Sequence, residues 1–88
     1  MTMIEQVNDK IDVLSLSRKG QGIVVPLRFS WKNKIYNIKK LGLTHPIREG
    51  RVLYHIFEGT DGNTFFRLKY DTENLQWLLE SITDGLPS

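Results

Sequence analysis

Histidine and cysteine, the side chains on which most metal sites depend, are scarce in this chain and are not grouped. The chain has no cysteine, and its two histidines are His45, which precedes a proline, and His55, which lies in a predicted strand. A metal site needs several ligands that converge on one point, and neither an HxH nor an HExxH spacing is present. We therefore expect no metal, and we expect His55 to pack beside Leu53 and Phe57.

The candidate nucleophiles and phosphate-binding loops are equally isolated. Ser15, Ser17 and Ser30 fall on predicted strands, and none stands beside a base that would activate its hydroxyl. Gly20-Gln21-Gly22 is too short to cradle a phosphate and precedes a strand, whereas phosphate-binding loops lead into a helix. We interpret this segment as a hairpin turn.

Three carboxylates near predicted turns are the remaining candidates for acid–base catalysis, namely Glu58, Asp61 and Asp71. Carboxylates beside Gly-rich turns are ordinarily solvated or bonded to the turn itself. The sequence thus predicts a protein that is not an enzyme, with no catalytic residue and no cofactor.

The clearest functional signal is the distribution of charge. Residues 1–51 hold ten Lys or Arg against four Asp or Glu, a balance of +6, whereas residues 52–88 hold two against six, a balance of −4. An asymmetric field of this kind orients an encounter with a polyanion or with the acidic end of a second copy.

Seven basic residues fall on one predicted hairpin and on the loop after it. They are Arg28, Lys32, Lys34, Lys39, Lys40, Arg48 and Arg51. A groove of Lys and Arg binds a phosphate backbone, and exposed aromatic rings add base stacking. Because Phe29, Trp31 and Tyr36 alternate inward, we expect nucleic-acid binding that is electrostatic and lacks stacking.

Two other interpretations of this surface stay open. The lysines also fit a solvated strand face and turn with no ligand. A different class of function is a protein–protein module or a homodimer, formed when an unpaired edge strand pairs with a second chain.

Length and composition indicate one small domain. The 88 residues are too few for two cores, and we assign residues 10–84 to the domain, 1–9 to a flexible lead-in and 85–88 to a tail. No apolar run approaches the roughly 18–20 residues that span a bilayer, and residues 1–6 lack the features of a secretion signal. We expect a cytoplasmic protein of bacterial type that has no membrane partner.

The strongest strand signal is the alternation of apolar residues from Ile23 to Trp31, with Leu27 and Phe29 expected on the inner face. Pro26 cannot donate a ladder hydrogen bond, so this strand is expected to lie at an edge or to carry a bulge there.

The next strand returns after a tight turn, and two registers are compatible with the sequence. A turn at Lys32-Asn33 places Trp31 opposite Lys34 and Phe29 opposite Tyr36. A turn shifted by one residue places Trp31 opposite Tyr36 instead. Both registers keep Phe29, Trp31, Tyr36 and Ile38 on one face, which we predict to be the core.

The rest of the chain is predicted to continue as short strands. Strands are expected at 10–17, 51–58 and 64–70, with a loop at 42–50 and a turn at 59–63. Residues 74–82 fit either a helix or a strand, and a strand that pairs Trp77 and Leu79 with the preceding one is favoured. The fold class is therefore all-β, a small antiparallel barrel or strongly curled meander of five or six strands.

One pattern resembles a known family. Pro26, Phe29, Trp31 and Tyr36 follow a P-x-x-F-x-W-x-x-x-x-Y spacing, and a later Y-D … W-x-L pattern runs from Tyr70 to Leu79. This combination resembles a family of small bacterial all-β proteins of unknown function. The resemblance implies an all-β fold and a final strand, and it implies no catalytic residue.

Overall fold

A computed structural model describes residues 4–17, 19 and 24–83. The described residues form seven β-strands and contain no helix of the length and apolarity needed to cross a membrane. The strands are β1 (Ile4–Ser17), β2 (Val24–Trp31), β3 (Lys34–Asn37), β4 (Lys40–Glu49), β5 (Val52–Thr60), β6 (Phe65–Asp71) and β7 (Gln76–Thr83). They make one antiparallel sheet in the order β3-β2-β1-β7-β6-β5-β4.

The all-β class is confirmed, but the expected number of five or six strands is wrong, and of the two expected forms, a barrel or a strongly curled meander, the closed barrel is not formed. The sheet has seven strands and stays open, because β3 and β4 form its two edges and do not pair with each other. The extra strand comes from residues 42–49, which the sequence predicted to be a loop. In addition, β1 begins at Ile4 and not at Lys10. The predicted turn at 18–22 and the tail at 85–88 fall at residues that are not described, apart from Lys19.

Residues 42–49 form a strand despite Gly42 and Pro46 because β4 is an edge. The register of β4 on β5 shifts between Leu41 and Thr44, so Gly42 lies at an irregularity that a glycine accommodates. In an antiparallel ladder that begins at the Glu49–Val52 pair, every second residue turns its backbone away from the partner. Pro46 has such a position, so its missing N–H removes no bond from the ladder.

Strand β1 connects two parts of the sheet. Its residues 4–11 pair with β7, and its residues 12–17 pair with β2. We call the first half of β1 with β4–β7 the five-stranded part, and the second half with β2 and β3 the three-stranded part.

The connection from β3 to β4 forces the sheet to roll up. Seven strands laid flat would separate the outer strands by roughly 29 Å, yet only Ile38 and Lys39 join β3 to β4. The Ile38 N–H donates to Leu27 O of β2, and the Lys39 N–H donates to Thr60 O of β5, both at 2.9 Å. Two consecutive amides thus bond to opposite parts of the sheet, and we call these two residues the corner.

Aromatic side chains fill the space between the two parts. Phe29, which is 1% exposed, stacks on Tyr36 with ring centroids 4.8 Å apart and meets Phe66 of the five-stranded part edge-on at 4.9 Å. Phe57 and Trp77 form a second contact at 5.4 Å. The predicted core face is therefore correct, although Trp31 is only half-buried against it.

A bulge beside Pro26 changes which side chains point inward. The register of β1 on β2 shifts between Leu14 and Ser15, which face Arg28 and Pro26, and Leu27 is left as the extra residue. Pro26 is consequently buried and Leu27 is exposed, so the expectation that Leu27 faces the core is wrong. The predicted bulge is confirmed, whereas β2 is not an edge, since it lies between β1 and β3.

Both hairpins that the sequence described in detail are present. Lys32 and Asn33 have positive φ values of 49° and 63°, as a two-residue turn between twisted strands requires, and Trp31 faces Lys34. The C-terminal segment is a strand in which Trp77 faces Tyr70 and Leu79 faces Leu68. Helical spacing of leucines there is overridden by pairing with β6.

The burial difference between Phe29 and Trp31 generates a prediction about stability. Phe29→Ala is expected to lower the free energy of unfolding by about 3–5 kcal/mol, because it removes a fully buried ring from both aromatic contacts. Trp31→Ala is expected to cost less, since its side chain is only partly buried against the core. Urea unfolding of the two variants checks the order, and a larger loss for Trp31→Ala would contradict the described packing.

A second prediction concerns the turn between β6 and β7. The pKa of Asp71 is lowered from its ordinary 3.8, first by a hydrogen bond from the Asn74 side-chain amide, then by the backbone N–H groups of Asn74 and Glu73 and by the charge of Lys69, while burial opposes the shift. A carboxylate with a lowered pKa stabilises the folded state above its unfolded pKa, and this contribution is lost as the pH falls through the folded value.

Asp71→Asn should therefore destabilise the protein at neutral pH, and the difference from the unaltered chain should shrink below about pH 4. Urea unfolding at about pH 7 and about pH 3 measures both differences. Glu73→Gln, at an exposed neighbouring position, is the control and should show a smaller effect. A difference for Asp71→Asn that stays constant with pH would contradict the proposed role of its charge.

Candidate nucleic-acid interface

The predicted basic residues are exposed and make no ion pair with the described carboxylates. This holds for all seven positions, namely Arg28, Lys32, Lys34, Lys39, Lys40, Arg48 and Arg51. The ion pairs of the described part belong instead to β6: Arg67 contacts Glu58 at 3.3 Å and Glu80 at 3.1 Å, and Lys69 contacts Glu49. The charges of these seven residues are therefore not neutralised by a described carboxylate.

Two of these lysines lie on aromatic rings at the end of the β2–β3 hairpin. The Lys32 ammonium lies 4.6 Å from the centre of the Trp31 ring, and the Lys34 ammonium lies 5.0 Å from that of Tyr36. Such cation–π contacts attract by about 0.5–1 kcal/mol at exposed sites. We call Lys32 and Lys34 the basic tip, and their charges lie directly over the margin of the core.

Trp31 is held in place beneath this tip. Its indole Nε1–H donates to Asp9 Oδ2 of β1 at 3.0 Å, across 22 positions of sequence. One side of the ring packs against the core and Lys32 lies over the ring, so little of its surface is open to a stacked base. Trp31 therefore supports the tip and offers limited stacking, in agreement with the inward alternation of the sequence.

Lys39 and Lys40 lie together at the corner. The Lys39 side chain runs beside Gly62 of the β5–β6 turn, where a Cβ atom would lie 3.9 Å from its Nζ. Lys40 begins β4 opposite Thr60. β4 can approach closely here because Gly59 has no side chain: a Cβ atom on it would lie 2.9 Å from the Lys40 carbonyl oxygen.

Arg48 and Arg51 lie far along β4 from the corner. Arg48 pairs with Leu53 next to the β4–β5 turn that contains Arg51. Lys40 and Arg48 are eight positions apart on an extended strand, a distance of about 26 Å. The loop expected at 42–50 would have kept these arginines near the hairpin, and the observed strand carries them away from it.

Arg28 is also apart from the other cations. It faces Leu14 of β1 and Asn37 of β3, on the outer face of the three-stranded part. If alternation continued unbroken from the hairpin, Arg28 and Lys39 would project from the same face, opposite the aromatic core. The structure places Lys39 in the corner between strands, so that strand alternation no longer relates the two side chains.

A groove on the outer face of the five-stranded part is a feature that the sequence reading missed. Its volume is about 550 Å³, and exposed Ile4, Leu43 and Phe65 line it together with Arg67. The charge of Arg67 is neutralised there by two glutamates, whereas Lys40, which also lines the groove, has no described ion-pair partner. Because neighbouring side chains of a strand point to opposite faces, the inward position of Phe66 could have indicated that Phe65 faces outward.

The carboxylates considered for catalysis have structural partners. Asp61 accepts the N–H groups of Asn63 and Thr64, Asp71 accepts those of its own turn, and Glu58 binds Arg67. Within residues 4–17, 19 and 24–83, no three His, Cys, Asp or Glu side chains come together closely enough to hold a metal ion.

Comparison with protein-family models, with curated proteins and with solved structures gives no match for this chain. The resemblance to small bacterial all-β proteins of unknown function therefore stays a prediction.

Proposed function

We propose that this chain is a non-enzymatic binding module that takes a nucleic acid through the basic tip and the corner. The ligand-binding residues are Lys32, Lys34, Lys39 and Lys40, and they contact phosphate groups of the backbone. Arg48 and Arg51 extend the basic surface along β4 for a longer ligand.

The observation that carries this proposal is the absence of described carboxylate partners for exposed cations. A lysine already paired within the protein must break that pair before it binds a phosphate, whereas these lysines need only lose solvent and counterions. A phosphate contact in turn releases counterions from the nucleic acid, which favours association at low salt.

The same geometry defines the kind of recognition. Lys32 covers Trp31, and Tyr36 is buried beneath Lys34, so base stacking contributes little. Contacts to phosphate position a protein on a nucleic acid without reading its bases. We expect binding that depends strongly on salt and weakly on sequence.

The alternative of a protein partner or a homodimer that pairs through an edge strand has less support. Edge strand β3 has only four residues. Edge strand β4 is longer, but the irregularity at Gly42 and the proline at position 46 interrupt the row of donors that a second strand would use.

Fluorescence anisotropy of a labelled single-stranded oligonucleotide at low and at physiological salt tests the proposal. The quadruple variant Lys32→Gln, Lys34→Gln, Lys39→Gln, Lys40→Gln should bind more weakly while its circular dichroism is unchanged. If all four contact phosphate, the slope of log K against log salt should become shallower by about 3.

A matched pair of variants separates a specific site from net charge. Lys32→Gln with Lys34→Gln should weaken binding more than Lys19→Gln with Arg28→Gln, which removes the same charge from exposed positions outside the proposed site. Equal losses in the two double variants, an unchanged affinity of the quadruple variant, or no binding at low salt would each contradict the proposal.

A further inference from the structure

The outer face of the three-stranded part exposes an unusual number of large apolar side chains. They are Leu14, Leu16, Leu27 and Ile35, exposed by 51%, 43%, 42% and 61%. Contiguous apolar patches on a soluble domain commonly mark a contact surface. The rolling of the sheet turns this face away from the core, so no described strand of the same chain covers it.

Two opposite charges lie among these apolar residues. Asp12 faces Ser30 across β1 and β2, and Leu14 faces Arg28 in the next row of the same face. These two neighbouring pairs form the corners of a rectangle on the sheet surface. The charged residues Asp12 and Arg28 lie on one diagonal, about 7–8 Å apart, and Leu14 and Ser30 lie on the other. Neither charge has a described ion-pair partner in its own chain.

The surface between these residues is concave. A shallow depression of about 300 Å³ is lined by Asp12, Leu14, Arg28, Ser30 and Ile35. The rectangle thus offers apolar surface, one acid and one base around a recess that a protruding side chain could enter.

We propose that this face binds a second copy of the same chain as a two-fold symmetric dimer. An axis that lies in the interface along the other diagonal, from Leu14 to Ser30, exchanges the positions of Asp12 and Arg28. Each Asp12 then faces Arg28 of the second copy, and the two Leu14 side chains meet near the axis.

The positions of the two charges favour a second copy of the chain as the partner that binds this face. A two-fold interface must be self-complementary, since the same patch is used on both sides. Opposite charges on the two sides of the axis meet this condition, and each charge gains a partner of opposite sign that the described part of its own chain does not provide.

The size of the patch sets the expected strength. An interface that covered about a tenth of the accessible surface of 6148 Å² would bury about 600 Å² per copy, which lies at the weak end of specific interfaces. We therefore expect a dimer whose population rises with concentration. The dimer uses Arg28 and leaves Lys32, Lys34, Lys39 and Lys40 free, so it is independent of the proposed nucleic-acid contacts.

Sedimentation equilibrium from micromolar to millimolar protein measures the dimer. Asp12→Arg and Arg28→Asp each place like charges opposite one another twice in a symmetric dimer, and each is expected to raise the Kd about tenfold or more. Arg48→Asp makes the same charge change as Arg28→Asp at an exposed position on β4, outside this face, and it should leave the Kd unchanged.

Mixing the two single variants tests the pairing itself. In a mixed dimer every acidic position faces a basic one, so an equimolar mixture of Asp12→Arg and Arg28→Asp should form heterodimers although each variant alone is monomeric. The double variant Asp12→Arg with Arg28→Asp should regain the homodimer. Both positions are exposed, so unchanged circular dichroism is expected for all variants.

A chain that stays monomeric at every concentration would overturn the proposal, and so would a dimer that both single variants leave intact. Failure of the mixture to associate after both single variants have lost their dimers would show that Asp12 and Arg28 do not face each other. Loss of oligonucleotide binding in the quadruple lysine variant with an unchanged dimer Kd would leave this inference standing.

Discussion

The two-residue corner is the constraint on which the rest of the structure depends. Ile38 bonds to β2 and Lys39 bonds to β5, so strands at opposite edges of the sheet are held within a few residues of each other. The sheet can satisfy both bonds only by rolling, and rolling brings Phe29 against Phe66. The aromatic core is thus a consequence of the corner as much as of the hydrophobic pattern, and it stabilises the corner in return.

Rolling of the sheet also separates the charged residues that form ion pairs from those that do not. Acids and bases of the C-terminal half meet on the outer face of the five-stranded part, where Arg67 lies between Glu58 and Glu80. Cations of the N-terminal half fall on the tip, the corner and the end of β4, where the described carboxylates do not reach them. The asymmetry of charge along the sequence therefore has a counterpart in the fold: the basic residues of β6 form ion pairs, whereas the basic residues at the tip, the corner and the end of β4 have no described partner.

The two proposed contact surfaces differ in their physical character. The basic tip and the corner present strongly hydrated ammonium groups that suit a phosphate backbone and are screened by salt. The outer face of the three-stranded part is largely apolar and has its two charges on a diagonal, which suits a second copy of the chain. Arg28 belongs to the second surface by position, although its residue type alone assigns it to the first.

The sequence by itself determined the all-β class, the aromatic face and the first turn to within one residue, because alternation and turn chemistry act over a few neighbouring residues. The register of that hairpin and the choice of a strand over a helix at residues 74–82 were decided by pairing between strands. Sequence-based prediction failed at residues 42–49, because the tolerance of Pro46 depends on β4 being an edge, and that is a property of the whole sheet. Likewise the seven basic residues were identified from composition, but their division between tip, corner, β4 and the face of Arg28 was decided by tertiary structure. The bulges and the corner determine where these basic side chains point. They do so through hydrogen bonds between residues that are distant in sequence, which no local pattern encodes.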